Sequence, residues 1–337
     1  MIAVATRIAV IGAGSWGTAV AAIASNRAPT VLWARRKALA DEIALGHRNR
    51  SYLADCPLTE SLEATASLEE ALMDATAVVM AVPSHGFREI LIAATPHLRP
   101  GVPVISLTKG VEEVTLKRMT EVVAEVAPGR AVGVLTGPNL AKEVMAGQPT
   151  ASVVATTDED VSAELQQVFT TRSFRVYTND DVIGCEVAGA LKNVMAIAAG
   201  IADGLGCGDN TRAALITRGL AELTRLGVAL GGRSLTFSGL AGMGDLVATC
   251  ISRQSRNRHV GEQLAKGRPI DEIVAEMKMV AEGVKTSRAV LELARGVNVE
   301  MPIAEQVVAV IYEGKRAEDV VPALMLREAK PELHGLP

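Results

Sequence analysis

Lys192 stands near the centre of a long apolar stretch, Glu186 to Asp203 (EVAGALKNVMAIAAGIAD). The apolar residues leave no wide polar face, a pattern typical of a helix that is buried on most sides. Burial lowers the pKa of an ammonium group, so an enclosed lysine needs a partner or a function such as acid–base chemistry. The alternative is a solvated surface lysine, the commoner setting for this residue type.

A glycine motif lies near the start of the chain, where Gly12, Gly14 and Gly17 follow the apolar run from Arg7 to Ile11. An Ala-rich segment to about Asn26 comes next, so the predicted order is strand, glycine turn and helix. Glycines allow the backbone to approach a pyrophosphate, whose charge the helix N-terminus then favours. We therefore expect a dinucleotide-binding motif, with a glycine turn selected only for packing as the alternative.

A basic cluster follows the second predicted strand, Thr30 to Ala34, and begins with Arg35 and Arg36. These residues occupy the position that faces the adenosine ribose in a dinucleotide-binding unit. An acidic residue there would hold the 2'-hydroxyl of NAD, whereas arginines match the 2'-phosphate of NADP through charge-assisted hydrogen bonds. NADP, as NADPH, is therefore the favoured cofactor and NAD is the alternative. A solvated basic start of a helix is the non-functional interpretation.

Two domains are predicted from the distribution of strand signals. After the first two strands, apolar runs alternate with helical stretches, at Ala77 to Val82, Val102 to Leu107, Ala131 to Leu135, Ala151 to Ala155 and Phe174 to Tyr177. The alternation predicts a Rossmann-like, doubly wound and mostly parallel sheet. From residue 205 onwards the pattern is helical with glycine loops. We expect a dinucleotide-binding domain over 1–185 and an all-helical substrate-binding domain over 186–337.

Polar residues follow three predicted strands, at the edge where such sheets bind ligands: Pro83-Ser84-His85, Thr108-Lys109-Gly110 and Thr136-Gly137-Pro138-Asn139. Lys109 directly follows a strand and precedes a glycine, so a ligand-facing lysine and a surface lysine are equal alternatives.

The helical part contains two further candidate segments, 240–249 (LAGMGDLVAT) and 252–259 (SRQSRNRH). Glycines in the first let the backbone approach a ligand, and Arg256 in the second has the planar fork that grips a phosphate. A basic stretch of this kind is more often a solvated face.

Composition argues against several classes of protein. The chain has 337 residues, 49% of them hydrophobic, and a net charge of -4, which argues against a general nucleic-acid or membrane-surface binder. The four cysteines are widely spaced, and neither an HExxH motif nor a carboxylate cage is present, so neither a disulfide framework nor a metal site is indicated. The first residues lack a cationic leader, so we expect a cytoplasmic protein.

These patterns together closely resemble the bacterial-type NAD(P)-dependent glycerol-3-phosphate dehydrogenases, over nearly the whole chain. The phrases that carry the resemblance are GAGSWGTA at 12–19, VPSH at 82–85, TKG at 108–110, GP at 137–138, ALKNVMAIAAGIADG at 190–204, NTRAALITRGLAE at 210–222, GLAGMGDLVATC at 239–250 and SRNR at 255–258. The resemblance implies interconversion of dihydroxyacetone phosphate and sn-glycerol 3-phosphate, which supplies glycerol 3-phosphate for phospholipid synthesis. It also implies a homodimer.

The resemblance assigns site residues as well. Implied cofactor contacts, besides the glycine turn, are Ser15, Trp16, Arg35, Arg36, Lys109, Ala141, Arg256, Val280 and Glu282. Implied substrate contacts are Lys109, Gly137, Asn139, Lys192, Asp245, Ser255, Arg256 and Asn257, with Asn193 and Thr249 close by. Lys192 is the expected catalytic residue, because a positioned ammonium stabilises the developing oxyanion and donates the proton. Asn139 departs from the family, where Thr or Ser is usual, so an amide replaces a hydroxyl.

Two other functions compete with this one. A different two-domain dehydrogenase, acting on a hydroxy acid or a sugar acid, would share the glycine turn without needing Arg256 and Asn257. A non-catalytic NADPH-binding sensor would also explain the glycine turn, but it would leave a buried Lys192 without a purpose.

Overall fold

The computed structural model describes residues 6–277, 279–332 and 334–335. Two compact units divide the chain: the first runs to Thr108 and resumes at Met119–Val182, and the second comprises Lys109–Arg118 and the chain from Ile183 onwards. The sequence predicted a single division after residue 185. The observed division instead interrupts the first unit with a ten-residue excursion, 109–118, into the second.

The first unit is built on a sheet. Its strands are β1 (Ile8–Ile11), β2 (Thr30–Trp33), β3 (Arg48–Asn49), β4 (Leu53–Pro57), β5 (Leu62–Thr65), β6 (Ala77–Met80), β7 (Val104–Ser106), β8 (Val132–Thr136), β9 (Thr150–Thr156) and β10 (Phe174–Asn179). Eight of them form one sheet in the order β10-β9-β8-β7-β6-β1-β2-β5, in which only the β8–β9 pair is antiparallel. The other two pair as a separate antiparallel ribbon. The predicted Rossmann-like, mostly parallel sheet is confirmed.

Helices cover both faces of this sheet: α1 (Ser15–Ala24), α2 (Lys37–Gly46), α3 (Leu68–Leu72), α4 (Ser84–Ala94), α5 (Met119–Val126), α6 (Ala141–Met145) and α7 (Glu159–Phe169). Val20 and Ile23 of α1 belong to the apolar cluster on one face, and Phe87 of α4 with Val122 of α5 belongs to the cluster on the other. Because both faces are covered, β1, β2 and β6 are buried along their whole length. Continuous apolar strands of this kind are typical of parallel sheets.

The second unit is helical, as predicted. Its helices are α8 (Val182–Gly204), α9 (Asp209–Ala229), α10 (Ser234–Phe237), α11 (Asp245–Ile251), α12 (Arg256–Ala265), α13 (Ile270–Glu276), α14 (Glu282–Gly296), α15 (Pro302–Tyr312) and α16 (Val320–Met325). The long helix α8 is buried from Gly184 to Ala202. Two stretches, α8 and Ser234–Ile251, are long and apolar enough to cross a membrane, but 89% of the α8 window is buried inside the protein.

The excursion Lys109–Arg118 packs with the helices, although the sequence predicted it in the first domain. Val111 is buried in the same apolar cluster as Leu191 of α8. At the end of the segment, Arg118 Nη1 donates to Glu186 Oε2 of α8 at 2.9 Å. An apolar anchor and an ion pair therefore hold the segment in the helical unit, while its neighbours in sequence remain with the sheet.

Helices α8 and α12 cross at very close range, and glycines make this possible. A Cβ atom at Gly261 of α12 would stand 2.1 Å from the Ile197 carbonyl oxygen, and one at Gly200 of α8 would stand 2.0 Å from the Arg258 carbonyl oxygen. Backbone atoms cannot yield as a side chain can, so the crossing requires glycine at both positions. The same two helices carry Lys192, Asn193, Arg256 and Asn257.

We expect Gly261→Ala to separate α8 from α12 and to destabilise the protein by about 1–3 kcal/mol, the usual cost of overpacking. Gly296→Ala is the control, because Gly296 is the last residue of α14 in the same unit and a Cβ there would meet nothing within 4 Å. The control should be neutral or slightly stabilising. Chemical denaturation measures both, and equal stability of the two variants would show that the crossing tolerates a methyl group.

Candidate functional site

Three side chains form a buried ionic cluster in the helical unit. Asp245 Oδ2 accepts a hydrogen bond from Lys109 Nζ at 2.7 Å, and Asp245 Oδ1 accepts one from Lys192 Nζ. The side chains of Asp245 and Lys192 are only 1% and 7% exposed, whereas that of Lys109 is 17% exposed. One carboxylate therefore serves two ammonium groups. The interpretation of Lys192 as a solvated surface lysine is wrong, and Lys109 is partly exposed but paired with Asp245.

The position of Asp245 depends on the glycine-rich turn before it. Residues Leu240–Gly244 form a π-helical turn that leads directly into α11, of which Asp245 is the first residue. A Cβ at Gly242 would stand 2.1 Å from the Phe237 carbonyl oxygen, so this turn requires glycine. One helical turn later, Thr249 Oγ1 lies 2.7 Å from Lys192 Nζ and donates to the Asp245 carbonyl at 2.6 Å. The segment 240–249 thus supplies both polar partners of Lys192.

Burial and the neighbouring charges set the protonation of Lys192. Desolvation is the main cause that lowers its pKa, the Asp245 carboxylate opposes this effect and the like charge of Lys109 adds to it, and the net pKa is about 7. A lysine with this pKa exists in both protonation states near neutral pH. It is therefore suited to donate a proton in one direction of a reaction and to accept it in the other.

Two asparagines form a chain of hydrogen bonds beside the cluster. Asn193 Nδ2 donates to the Lys109 carbonyl at 2.9 Å, and Asn257 Nδ2 donates to Asn193 Oδ1 at 2.9 Å. Asn257 Oδ1 then accepts from the Gly283 backbone N–H at 3.0 Å. Both asparagines are buried. The amide chain links the backbone that carries Lys109 to the start of α14.

The start of α12 presents a cation, Arg256, beside the residues that precede α14. Ser255 caps the helix by accepting from the Arg258 backbone N–H at 3.2 Å, and its own side chain is buried. Arg256, the first residue of α12, is exposed, and its Nη1 donates to the Val280 carbonyl at 2.7 Å. Glu282 is the first residue of α14. The residues that the resemblance implied for the phosphate and for the cofactor are thus neighbours in this unit.

In the sheet unit, the glycine turn has the geometry that a dinucleotide requires. Gly12 has a φ of 122°, and its Cβ would stand 2.6 Å from the Ala81 carbonyl oxygen, while a Cβ at Gly17 would stand 2.0 Å from that of Gly12. A Cβ at Gly14, by contrast, would meet nothing within 4 Å, and Gly14 caps α1 without a side-chain bond. The open backbone N–H groups at this helix N-terminus fit a pyrophosphate. Trp16 Nε1 is buried without a hydrogen-bond partner among the described residues.

Arg35 and Arg36 follow β2 and are exposed, as a contact to an adenosine 2'-phosphate requires. Arg36 Nη2 lies 3.4 Å from Ser51 Oγ. The next residue, Lys37, is engaged within its own helix, since its Nζ donates to Asp41 at 2.7 Å. The two arginines are therefore the cations that remain available at the end of β2.

The end of β8 carries the remaining predicted contacts of the sheet unit. Gly137 has a φ of 131°, which favours glycine, and Ala141 is the first residue of α6. Both side-chain amide atoms of Asn139 are buried and have no hydrogen-bond partner among the described residues. A buried amide without partners costs free energy, so it indicates a group that a ligand satisfies. Asn139 therefore has the burial and the open hydrogen-bonding groups expected of a ligand contact.

Sequence reasoning missed the ion pair of Arg118 with Glu186, which attaches the segment 109–118 to α8. Both lie outside the motifs that carry the resemblance, and Glu186 was noted only as the first residue of the apolar stretch. Among the residues that the structure describes, no group of three or more His, Cys, Asp or Glu side chains is placed to hold a metal ion. The four cysteines, all of which the structure describes, are not joined in disulfides.

The two units define a class of protein. A doubly wound sheet with this glycine turn, followed by a helical unit with a lysine of pKa about 7, is the architecture of a two-domain NAD(P)-dependent dehydrogenase. Comparison with known protein families shows which family within this class the chain belongs to. The profile described as NAD-dependent glycerol-3-phosphate dehydrogenase N-terminus matches residues 7–162, and the corresponding C-terminus profile matches residues 181–322. The chain belongs to the NAD-dependent glycerol-3-phosphate dehydrogenase family.

Individual relatives agree with this assignment over nearly the full length. The chain is 55% identical to a glycerol-3-phosphate dehydrogenase, NAD(P)+, of Sphingopyxis alaskensis, over 97% of this chain and 98% of that protein. It is 51% identical to one of Mycobacterium tuberculosis, with 98% and 97% covered. The solved glycerol-3-phosphate dehydrogenase of Coxiella burnetii superposes with a TM-score of 0.92 at 38% identity, covering 96% of this chain and 99% of that chain.

The pKa of Lys192 gives a direct test of the ionic cluster. Asp245→Asn should move this pKa further below about 7, because it removes the charge that stabilises the ammonium. Lys109→Met should raise it, because it removes a like charge. Carbon-13 NMR of lysine labelled at Cε, followed against pH, measures both, with Lys315→Met as a remote control. A Lys192 midpoint near the ordinary 10.5 in the unmodified protein would contradict the assignment.

Proposed function

We propose that this chain interconverts dihydroxyacetone phosphate and sn-glycerol 3-phosphate with NADPH or NADH, and that Lys192 is the catalytic acid–base residue. The observation that carries the proposal is the sharing of Asp245 by Lys192 and Lys109 in a buried site. The bound cofactor supplies the hydride that is exchanged with the second carbon of the substrate. The residues of the chain supply orientation, charge stabilisation and the proton.

Lys192 acts at the substrate oxygen. As the carbonyl of dihydroxyacetone phosphate is reduced, negative charge develops on its oxygen, and the Lys192 ammonium stabilises this charge and transfers a proton to it. In the reverse direction the neutral amine accepts the proton of the hydroxyl. Asp245 and Thr249 fix the position of Nζ through their hydrogen bonds. Lys109 orients the substrate and keeps the pKa of Lys192 low.

Other side chains bind the phosphate and the glycerol hydroxyls. Arg256 is exposed, and among the described residues only its Nη1 is tethered, to the Val280 carbonyl, which leaves donors for the phosphate. Ser255 and Asn257 flank it at the start of α12. The backbone of Gly137 contacts the substrate. Asn139 offers the substrate its side-chain amide, which has no hydrogen-bond partner among the described residues. In this protein the amide replaces the hydroxyl that Thr or Ser would provide.

The sheet unit binds the cofactor. The turn from Gly12 to Gly17 holds the pyrophosphate, with Ser15 and Trp16 beside it, and Ala141 contributes at the end of β8. Arg35 and Arg36 bind the 2'-phosphate, so NADPH is preferred over NADH. Lys109, Arg256, Val280 and Glu282 complete the set of cofactor contacts.

The cellular role follows from the product. The chain supplies glycerol 3-phosphate for phospholipid synthesis in the cytoplasm, as a homodimer that neither inserts into a membrane nor binds nucleic acid. Besides the cofactor, its partners in this role are the small phosphorylated substrate and the second copy of the chain.

The function is tested by following NADPH absorbance after dihydroxyacetone phosphate is added. We expect oxidation of NADPH by the wild type, and a fall in turnover of roughly 100-fold or more for Lys192→Ala, the scale for loss of a general acid. NADPH binding should remain, because the lost interaction forms mainly in the transition state. Lys315→Ala is a control for loss of a lysine elsewhere in the helical unit. Wild-type turnover in the folded Lys192→Ala variant would refute the catalytic assignment, and cofactor binding without turnover of any substrate would favour a sensor.

Cofactor preference is tested by replacing Arg35 and Arg36 together with Gln. Charge-assisted hydrogen bonds are worth about 1.5–3 kcal/mol each, so NADPH affinity should fall by at least tenfold while NADH affinity changes little. Lys37→Gln is the matched control, because it removes the neighbouring cation, which is already paired with Asp41. Isothermal titration with both cofactors measures the effect. Equal losses for NADPH and NADH would show that the arginines do not recognise the 2'-phosphate.

A further inference from the structure

The segment Lys109–Arg118 is a closed loop. An isolated antiparallel bridge joins Val111 to Arg118, and the Glu112 backbone N–H donates to the Lys117 carbonyl at 2.9 Å. Within the loop, the Leu116 N–H donates to the Glu112 carbonyl at 2.9 Å, and Leu116 has a φ of 58°. A non-glycine residue in this left-handed region persists only where surrounding structure fixes it. The base of the loop is therefore a defined structure that connects Lys109 to Arg118.

Helix α8 holds both ends of this loop. At one end, Asn193 Nδ2 donates to the Lys109 carbonyl at 2.9 Å. At the other end, Arg118 Nη1 donates to Glu186 Oε2 at 2.9 Å, and the two side chains are 14% and 1% exposed. Lys192 lies between these two attachments on the same helix. The position of Lys109 relative to Lys192 is thus set by two contacts with one rigid element.

We propose that Arg118 and Glu186 are positioning residues that hold Lys109 against Asp245 in the site of the proposed dehydrogenase, on which this inference rests. The ion pair lies at the opposite end of the loop from Lys109, so it does not itself touch the substrate. The antiparallel bridge at the base of the loop fixes Val111 relative to Arg118. Because Val111 is close to Lys109 in the chain, the bridge also fixes the position of Lys109. A buried ion pair is seldom more stabilising than a well-packed apolar pair, which favours a role in fixing geometry.

The inference has a kinetic consequence. If the loop loosens, Lys109 Nζ leaves Asp245, and the substrate loses an orienting contact. A small misplacement of a positioning group reduces the rate by about 10- to 100-fold. The pKa of Lys192 should rise at the same time, because the like charge of Lys109 holds it down. A residue with a purely structural role would lower the amount of folded enzyme but would leave this pH profile unchanged.

The test is a pair of substitutions measured with and without Lys109. Glu186→Gln should lower kcat/KM for dihydroxyacetone phosphate by about tenfold or more and shift the pH profile upward. In the Lys109→Ala background, Glu186→Gln should lower kcat/KM no further, because the lysine that Glu186 helps to position is already absent. Glu276→Gln is the matched control, since Glu276 pairs with Arg268 at 2.6 Å in the same unit. It should leave kcat/KM unchanged in both backgrounds.

A second variant separates positioning from folding. Glu186→Gln alone leaves the partly buried Arg118 beside a neutral amide, whereas the double variant Arg118→Met with Glu186→Gln removes both charges of the pair and is expected to fold. It should show the same loss of kcat/KM, together with faster hydrogen exchange of the backbone amides of 109–118.

Two results would overturn the inference: wild-type kcat/KM in the folded double variant, or an equal loss from Glu186→Gln in the Lys109→Ala background. Failure of the proposed function is distinguishable, because the wild type itself would then leave NADPH unoxidised. The hydrogen-exchange comparison does not depend on activity.

Discussion

The interaction on which the rest of the helical unit depends is the carboxylate of Asp245 between two ammonium groups. Two positive charges and one negative charge in a buried place leave an excess of positive charge, which burial penalises. The penalty appears in Lys192, whose pKa is lowered to about 7. An anionic substrate such as a phosphate ester reduces the excess of positive charge, so the cluster favours binding of the class of ligand that it would transform. In the proposed mechanism, the same imbalance that costs stability supports both binding and proton transfer.

The fold brings the three groups together from distant parts of the chain. Lys109 lies on an excursion from the sheet unit, Lys192 on a helix that is buried from Gly184 to Ala202, and Asp245 directly after a π-helical turn that requires glycine at position 242. The close crossing of α8 and α12 extends the arrangement to Arg256 and Asn257. Site geometry is thus a consequence of how tightly α8 is enclosed.

Much of the fold could be predicted from the sequence, because strands covered on both faces read as continuous apolar runs. The seven predicted runs are strands in the structure. The edge strand Leu62–Thr65 was missed because only one of its four residues is buried and its sequence, LEAT, lacks an apolar run. Ser67 and Glu70, at the start of the helix before β6, match the sequence pattern of a capping box, but only half of the box forms. Ser67 Oγ accepts from the Glu70 backbone N–H, while the Glu70 carboxylate accepts from Thr65 instead.

The site was predictable where residue type and burial together implied chemistry. Lys192 was identified because a lysine inside an apolar helix needs a partner. The identity of that partner, Asp245, depends on a contact across 53 residues that no local pattern contains. The ion pair of Arg118 and Glu186, 68 residues apart, was missed for the same reason. Local sequence patterns report periodicity and turn chemistry, but pairings between distant segments are decided by tertiary packing.

The central claim is that Lys192, with a pKa near 7, transfers the proton. Single-turnover rates measured against pH in both directions test it most directly, because they isolate the chemical step from product release. We expect the reduction rate to fall as pH rises through about 7, since the ammonium is lost, and the oxidation rate to rise over the same range. The claim would be contradicted if the reduction and oxidation rates changed with pH in the same sense. It would also be contradicted if the rates changed around pH 10.5, the ordinary pKa of lysine.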